Sequence, residues 1–560
     1  MAASTTSPSN SEHTAPNPAQ ARLPKLTPEF LSKHYPSSIS LVHVDVLTRH
    51  GERTPIARNF ENLSPRYWDF CKVGNQLHAD FIKKVGLHTS IPPPTGDKAG
   101  ADQERKWANY MFKVESRNTK AVFGVSDKKD KPKDTDDTSK PSAATCGFGQ
   151  LTDVGRQSMT ALGQHLRSLY VESTDLLPSM PRNGEGGPTG DLYLRSTSYS
   201  RAFESLQHTL GGLYPNALDV PSLFRVNVRP STRDNLLISF DCKSMMRLFK
   251  AFNANAKEAS LGEYNALHQD LVKIDGLREF YESQPNDSKG PPAAIHAWDT
   301  LASMRAHNMP LPSAIDDALI ARTSEMSGVE YLHSGWQSAA LTRLQIGPLV
   351  HELVGNIVRA VEVDRAGAFP KSDSSNSKMG IYSGHDTTIG PLLAVFGARS
   401  DDSSSSSSRS YTKPSDPYWP PYAASIRLEL IKDDNTQPPT IRPAWEDHQA
   451  YHSEDLSMVP FGSRIRPINV PDSLYNWSSA RNQKQRRSSP ATDHFNPRAM
   501  RDYYVRVWYN DRELQLPACL DPGAHHATLG TTMCTVDGFF KQVARFVPSE
   551  EEAARGCNGE

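Results

Sequence analysis

Residues 39–55 read ISLVHVDVLTRHGERTP. The first ten are near-continuously apolar or β-branched, the pattern of a strand buried on both faces in an α/β sheet. Thr54-Pro55 stops it. Between them stand Arg49, His50, Gly51, Glu52 and Arg53. Two guanidiniums and an imidazole are poor core material, but the carboxyl end of a strand is where open α/β sheets bind ligands. Gly51 lets the backbone turn sharply beside the ring. The stretch reads as a grip around a reactive atom.

Two later segments share this layout. DLYLRSTS (191–198) is a short strand ending in Arg195-Ser196-Thr197, and MGIYSGHD (379–386) is one ending in His385-Asp386. Helical periodicity marks 151–171, 200–215 (stopping at the Gly211-Gly212 pair) and 344–363. ASIRLELI and YYVRVWYN read as late strands. The order of elements predicts an α/β domain with a second subdomain inserted near 216–335. The three strand ends are therefore expected to converge on one site.

Their chemistry is coherent. Arg49, Arg53 and Arg195 supply forked, permanent cations that match the oxygens of a phosphomonoester dianion. His50 attacks phosphorus only when neutral, and neighbouring arginines favour that form. Asp386 is the expected proton donor to the leaving alkoxide, then the base for water. His385 binds a phosphoryl oxygen. Positioning and charge compensation carry the reaction, with no metal and no cofactor. A protonated Asp386 and an unprotonated His50 predict a mildly acidic optimum. The plainer reading of Asp386 is a cap for the helix begun by TTIGPLLAVF.

The remaining composition sets bounds. The chain has 560 residues, is 37% hydrophobic, and has a formal net charge of −1 from 62 basic and 63 acidic residues. That balance argues against nucleic acid as a partner, and no run is long and apolar enough for a transmembrane segment. The six cysteines are too sparse for a disulfide scaffold or a zinc site; only Cys519 and Cys534 are spaced for a local bridge. Charged, Ser-rich or polar insertions are expected near 126–145, 182–190, 369–378, 400–416 and 433–500, the last carrying a basic KQRR. The N-terminus shows no apolar core of a signal peptide. This favours an intracellular, cytoplasmic location, with a mitochondrial one as the alternative.

The motif RHGxRxP, met here by Arg49, His50, Gly51, Arg53 and Pro55, resembles the signature of the histidine acid phosphatases, branch 2 of the histidine phosphatase superfamily. SGHD is similar to the family's His-Asp motif, at His385 and Asp386. LRSTSYSRAFESLQHTLGGLYP is similar to its second phosphate-arginine segment and places that role on Arg195. GFGQLTDVGRQSMTALGQHLRSLYV, RAHNMPLP and VWYNDRELQLPAC are most similar to the lysophosphatidic-acid phosphatase type. The resemblance implies a phosphoglycerate-mutase-like α/β sandwich at 38–215 and 336–545, with a mainly helical cap at 216–335 and tails at 1–37 and 546–560. It implies a metal-independent acid phosphatase working through a phosphohistidine on a small phosphomonoester or a lysophospholipid. The rivals are a phytase-like or other phosphomonoesterase and a non-catalytic phospholigand-binding scaffold; the latter would have lost the nucleophile or the acid.

Overall fold

A computed structural model of the chain describes residues 23–76, 142–181, 190–217, 224–231, 233–238, 241–283, 293–332, 338–366, 377–397, 419–433, 500–548 and 556–557. Most of each expected insertion, and KQRR, lie outside these residues. In chain order the elements are α1 (Pro28–His34), β1 (Ile39–Arg49), α2 (Asp153–Arg167), β2 (Leu192–Ser196), α3 (Ser200–Leu213), β3 (Val226–Val228), α4 (Lys243–Ala259), α5 (Leu261–Leu271), α6 (Arg278–Ser283), α7 (Ile295–Ala306), α8 (Asp317–Tyr331), α9 (Ala339–Ala366), β4 (Met379–Gly384), α10 (Asp386–Val395), β5 (Ser425–Asp433), β6 (Tyr503–Tyr509), β7 (Arg512–Glu513), β8 (His525–His526), β9 (Gly530–Thr535) and α11 (Val536–Val543).

The strands form one mixed sheet in the order β3-β2-β4-β1-β5-β6-β9-β8, with β7 on β6. β1 lies between parallel β4 and antiparallel β5, which explains its continuous apolar character. Val44 and Val46 pack with Leu192, Leu194, Met379 and Ile381 against α2 and α3. Leu47 and Tyr382 pack on the opposite face, against α9 and α10. A register shift between Leu41 and His43 lets Val42 join that second face as well. The result is a sheet covered on both sides.

α4 to α8 form the expected helical cap, inserted between β3 and α9. Its own apolar cluster includes Tyr264, Trp298, Leu301 and Leu319, and takes in Phe60 and Trp419 from the α/β part. Residues 226–228 lie within the range expected for the cap but extend the sheet as β3.

Several local expectations are corrected. α3 runs through the Gly211-Gly212 pair to Leu213. A Cβ on Gly212 would lie 2.1 Å from the Thr160 carbonyl, and one on Gly163 2.0 Å from that of Thr209. These glycines serve a close crossing of α2 and α3, not a helix stop. The expected N-terminal tail contains α1, which docks by Phe30 on Trp508 (5.7 Å) and is followed by Tyr35, whose hydroxyl donates to Glu429 (2.7 Å). At the other end Phe546 is buried. All six cysteines pair, as Cys71–Cys146, Cys242–Cys557 and Cys519–Cys534, with Cα separations of 5.2, 4.5 and 5.3 Å. Spacing pointed to the last bridge only, because the other two join positions 75 and 315 residues apart.

Gly163→Ala should lower stability by roughly 1–3 kcal/mol through overpacking at the helix crossing, read as a lower urea midpoint at unchanged slope. Protein unfolded without reductant should expose no thiol to a disulfide-exchange dye.

Candidate active site

The parallel half of the sheet levels the three motifs. Arg49 is opposite Gly384, and Ser196 is opposite Ser383. The next residue of each strand, His50, His385 or Thr197, therefore leaves the sheet at the same edge. Backbone bonds hold them: His50 N–H donates to Gly384 O (3.0 Å) and Thr197 N–H to Ser383 O (3.2 Å). The two imidazoles meet edge to face with centroids 5.4 Å apart. The expected convergence is present for Arg49, His50, Arg53, His385 and Asp386.

His50 is buried, and its Nδ1 lies 2.8 Å from the carbonyl of Gly51. A carbonyl only accepts, so Nδ1 carries the proton and the neutral ring keeps its lone pair on Nε2. The bend that allows this needs Gly51, where a Cβ would lie 2.5 Å from the carbonyl oxygen of Gly155. Burial, then the charges of Arg201, Arg49, His385 and Arg53, holds the His50 pKa well below its ordinary value. Burial and Arg201 do the same for His385, against the opposing pull of Asp386. The Nε2 of His385 meets Thr197 Oγ1 at 3.0 Å.

Arg49 donates through Nη1 to Pro420 O (2.6 Å), and its Nη2 lies 2.9 Å from Asp386 Oδ2. Its guanidinium stacks on Tyr422, 4.2 Å from the ring centroid. Arg53 Nη1 pairs with Asp299 Oδ1 (2.8 Å). The Nε of each arginine is buried with no hydrogen-bond partner among the described residues. Unpaired buried donors of this kind suit an oxyanion.

Asp386 opens α10. Its Oδ1 accepts the N–H of Thr387 (2.8 Å) and its Oδ2 the indole N–H of Trp419 (3.0 Å). It is thus both a helix-start residue and a member of the cluster. Burial pushes its pKa up, but Arg49, Arg53, His385 and the Trp419 bond outweigh it and leave the carboxyl below its ordinary value.

Arg195 is the exception. Leu192 and Leu194 face α2 and α3, so alternation turns Arg195 to the α9 side of the sheet. There it is fully buried, with Nη2 on Asp234 (2.5 Å) and Nη1 on Glu352 of α9 (2.9 Å). The third cation beside the histidines is Arg201, in the first turn of α3, whose guanidinium lies 4.6 Å from the Tyr199 ring centroid. Ser383 Oγ donates to Ala202 O (2.7 Å) and ties that turn to β4. The sequence held the signal: applied to Leu192 and Leu194, period-2 alternation turns Arg195 away from α2 and α3, leaving the arginine beyond the strand end. Asp299, Trp419 and Tyr422 went unnoticed because no motif marks them.

A model of the histidine phosphatase superfamily, branch 2, matches residues 40–444. The chain belongs to this family. It is 24% identical over 524 residues to the "Probable acid phosphatase" of Schizosaccharomyces pombe, across 92% of this chain and 94% of that one. It is 28% identical to the lysophosphatidic acid phosphatase type 6 of Homo sapiens over 287 residues, which are 51% of this chain and 57% of the relative. Among solved structures, the apo phytase of Hafnia alvei superposes with a TM-score of 0.47 at 12% identity, covering 92% of this chain and 99% of the phytase. Among the described residues no helix is long and apolar enough to cross a membrane.

Arg195 and Arg201 should separate on substitution. Arg195→Met strips the fully buried Asp234 of its counter-ion, while Glu352 keeps Arg229, and should cost about 3–5 kcal/mol of stability. Arg201→Met, which removes a cation beside both histidines, should weaken phosphate binding. Urea unfolding and phosphate titration of both variants check this.

Proposed function

We propose that this member of the family is an acid phosphatase that hydrolyses phosphate monoesters through a phosphohistidine on His50. The observation that carries the reading is the Nδ1–Gly51 bond of 2.8 Å, which leaves Nε2 as the nucleophile beside the guanidiniums. Arg49, Arg53, Arg201 and His385 hold the phosphoryl oxygens. Nε2 forms the bond to phosphorus as the ester P–O bond breaks, and Asp386 protonates the leaving alkoxide. Water, deprotonated by Asp386, then displaces His50 and releases inorganic phosphate.

Asp386 is held low by the positive charge of Arg49 and Arg53 beside it. A phosphate dianion neutralises them, and burial then favours the protonated acid. Charge compensation by guanidinium is sufficient for the transferring group, so the step is metal-independent and chelator leaves it unchanged.

The named relatives support two substrate readings, a general phosphomonoester and lysophosphatidic acid. For the lipid, loop 147–150 offers the exposed Phe148 and is tied to the catalytic turn by Thr54 Oγ1 to Gly147 O (2.6 Å) and Gly149 N–H to Pro55 O (2.9 Å). Three disulfides fit an oxidising compartment better than the cytoplasmic location read from the sequence. A lysosomal acid phosphatase of Xenopus laevis is among the relatives.

Phosphate release from p-nitrophenyl phosphate, lysophosphatidic acid and phytate, with His50→Ala beside wild type, tests the reading. Wild type should turn over at least the first and His50→Ala none. Because the His50 pKa lies well below 6.5, its ring stays unprotonated under mild acid. The acidic limb of kcat/KM should therefore fall well below pH 6.5. An inactive wild type, or an active His50→Ala, overturns the assignment; an acidic limb near 6.5 overturns the role given to burial and Arg201.

A further inference from the structure

The cap helix α7 carries a buried polar stripe that the chemistry above does not use. Asp299, Ser303 and His307 are spaced four apart, one turn each, and are 6%, 0% and 7% exposed. Their neighbours Trp298, Leu301, Ala302 and Ala306 pack as ordinary core. Polar side chains at such positions are costly unless each finds a partner, and each does. All three partners belong to the catalytic framework.

Asp299 Oδ1 takes Arg53 Nη1 at 2.8 Å, and its Oδ2 accepts the N–H of Ile56 at 2.9 Å. One carboxylate thus spans both ends of the turn Arg53–Ile56. Ser303 Oγ lies 3.0 Å from the hydroxyl of Tyr422, the ring on which Arg49 stacks. His307 lies 2.7 Å through Nδ1 from Ser303 O and 2.8 Å through Nε2 from Thr152 Oγ1. Thr152 caps α2, and the same oxygen lies 3.1 Å from Glu52 O. The cap is therefore joined by polar contacts to the residues on either side of His50.

Arg53 shows what the first of these contacts achieves. Its Nη1 is shared between Asp299 and the carbonyl of Thr54 (2.9 Å). Fixing one corner of a planar fork fixes the direction of the rest, and the Nε that remains has no partner. We propose that Asp299 is a positioning residue, supplied by the cap, that aims the Arg53 guanidinium at the phosphoryl group. Its charge also compensates Arg53 in a buried setting already crowded with cations. The role rests on the phosphatase reading for its substrate, and on the Asp299–Arg53 geometry for itself.

A double-mutant cycle tests it, using Arg53→Ala, Asp299→Ala and the pair in the full-length protein. The readouts are KM and kcat for p-nitrophenyl phosphate and the dissociation constant of inorganic phosphate by calorimetry. In the wild-type background Asp299→Ala should raise KM and the phosphate constant together by about tenfold. In the Arg53→Ala background it should change either by less than about twofold, because there is no guanidinium left to aim. Equal losses in both backgrounds, or a fall in kcat alone, would mean a structural role and overturn the proposal. If Asp299→Ala does not fold, Asp299→Asn, of equal volume, enters the same cycle. Wild type that binds phosphate but releases none from esters would overturn the phosphatase reading and leave the Asp299 effect legible in the binding constant. Wild type that does neither overturns both.

Discussion

Buried positive charge is the constraint around which this protein is arranged. Arg49 and Arg53 flank His50 within a five-residue turn, and Arg201 reaches both histidines from α3. Guanidiniums at that density, out of water, persist only where opposite charge and aromatic faces are set against them. Asp386 meets Arg49, Asp299 meets Arg53, and the Tyr422 ring lies 4.2 and 5.7 Å from the two guanidinium carbons. Burial first, and then the same field, holds the pKa of both imidazoles well below its ordinary value, as the proposed attack on phosphorus requires. In the proposed function, the electrostatics that make the turn hard to bury are what make it reactive.

Two elements of the fold make this arrangement possible. Parallel pairing of β1, β4 and β2 brings three distant strand ends level, so that side chains more than three hundred residues apart leave the sheet side by side. The cap then closes over them with polar contacts as well as apolar ones, through Asp299, Ser303 and His307. The antiparallel half uses similar residues for structure. Glu429 accepts from Tyr35, Tyr170, Trp508 and Arg506 at 2.6–3.0 Å, and so fastens the segments that follow α1 and α2 to β5 and β6. Arginine, carboxylate and tyrosine in a core thus do not by themselves mark a site; position relative to the strand ends does.

Arg195 illustrates the same point. It stands in a segment that resembles a phosphate-binding motif, yet it is an interior strand position whose side chain faces α9. Arg201, six residues later, lies beyond the strand end and beside the histidines. A motif locates the segment, while the face of the strand decides which of its arginines stands beside the histidines.

What the sequence determined by itself was local. The buried strands β1, β2 and β4, the helices after them and the residues Arg49, His50, Arg53, His385 and Asp386 all follow from apolar period and from unusual polar residues at strand ends. Those signals are carried by neighbours in the chain. Tertiary structure alone decided the two long-range disulfides, the glycines at the α2–α3 crossing, and the stripe of Asp299, Ser303 and His307. Each depends on which surfaces meet across dozens to hundreds of residues. Hydrophobic period says only that a face is buried, and leaves open against what.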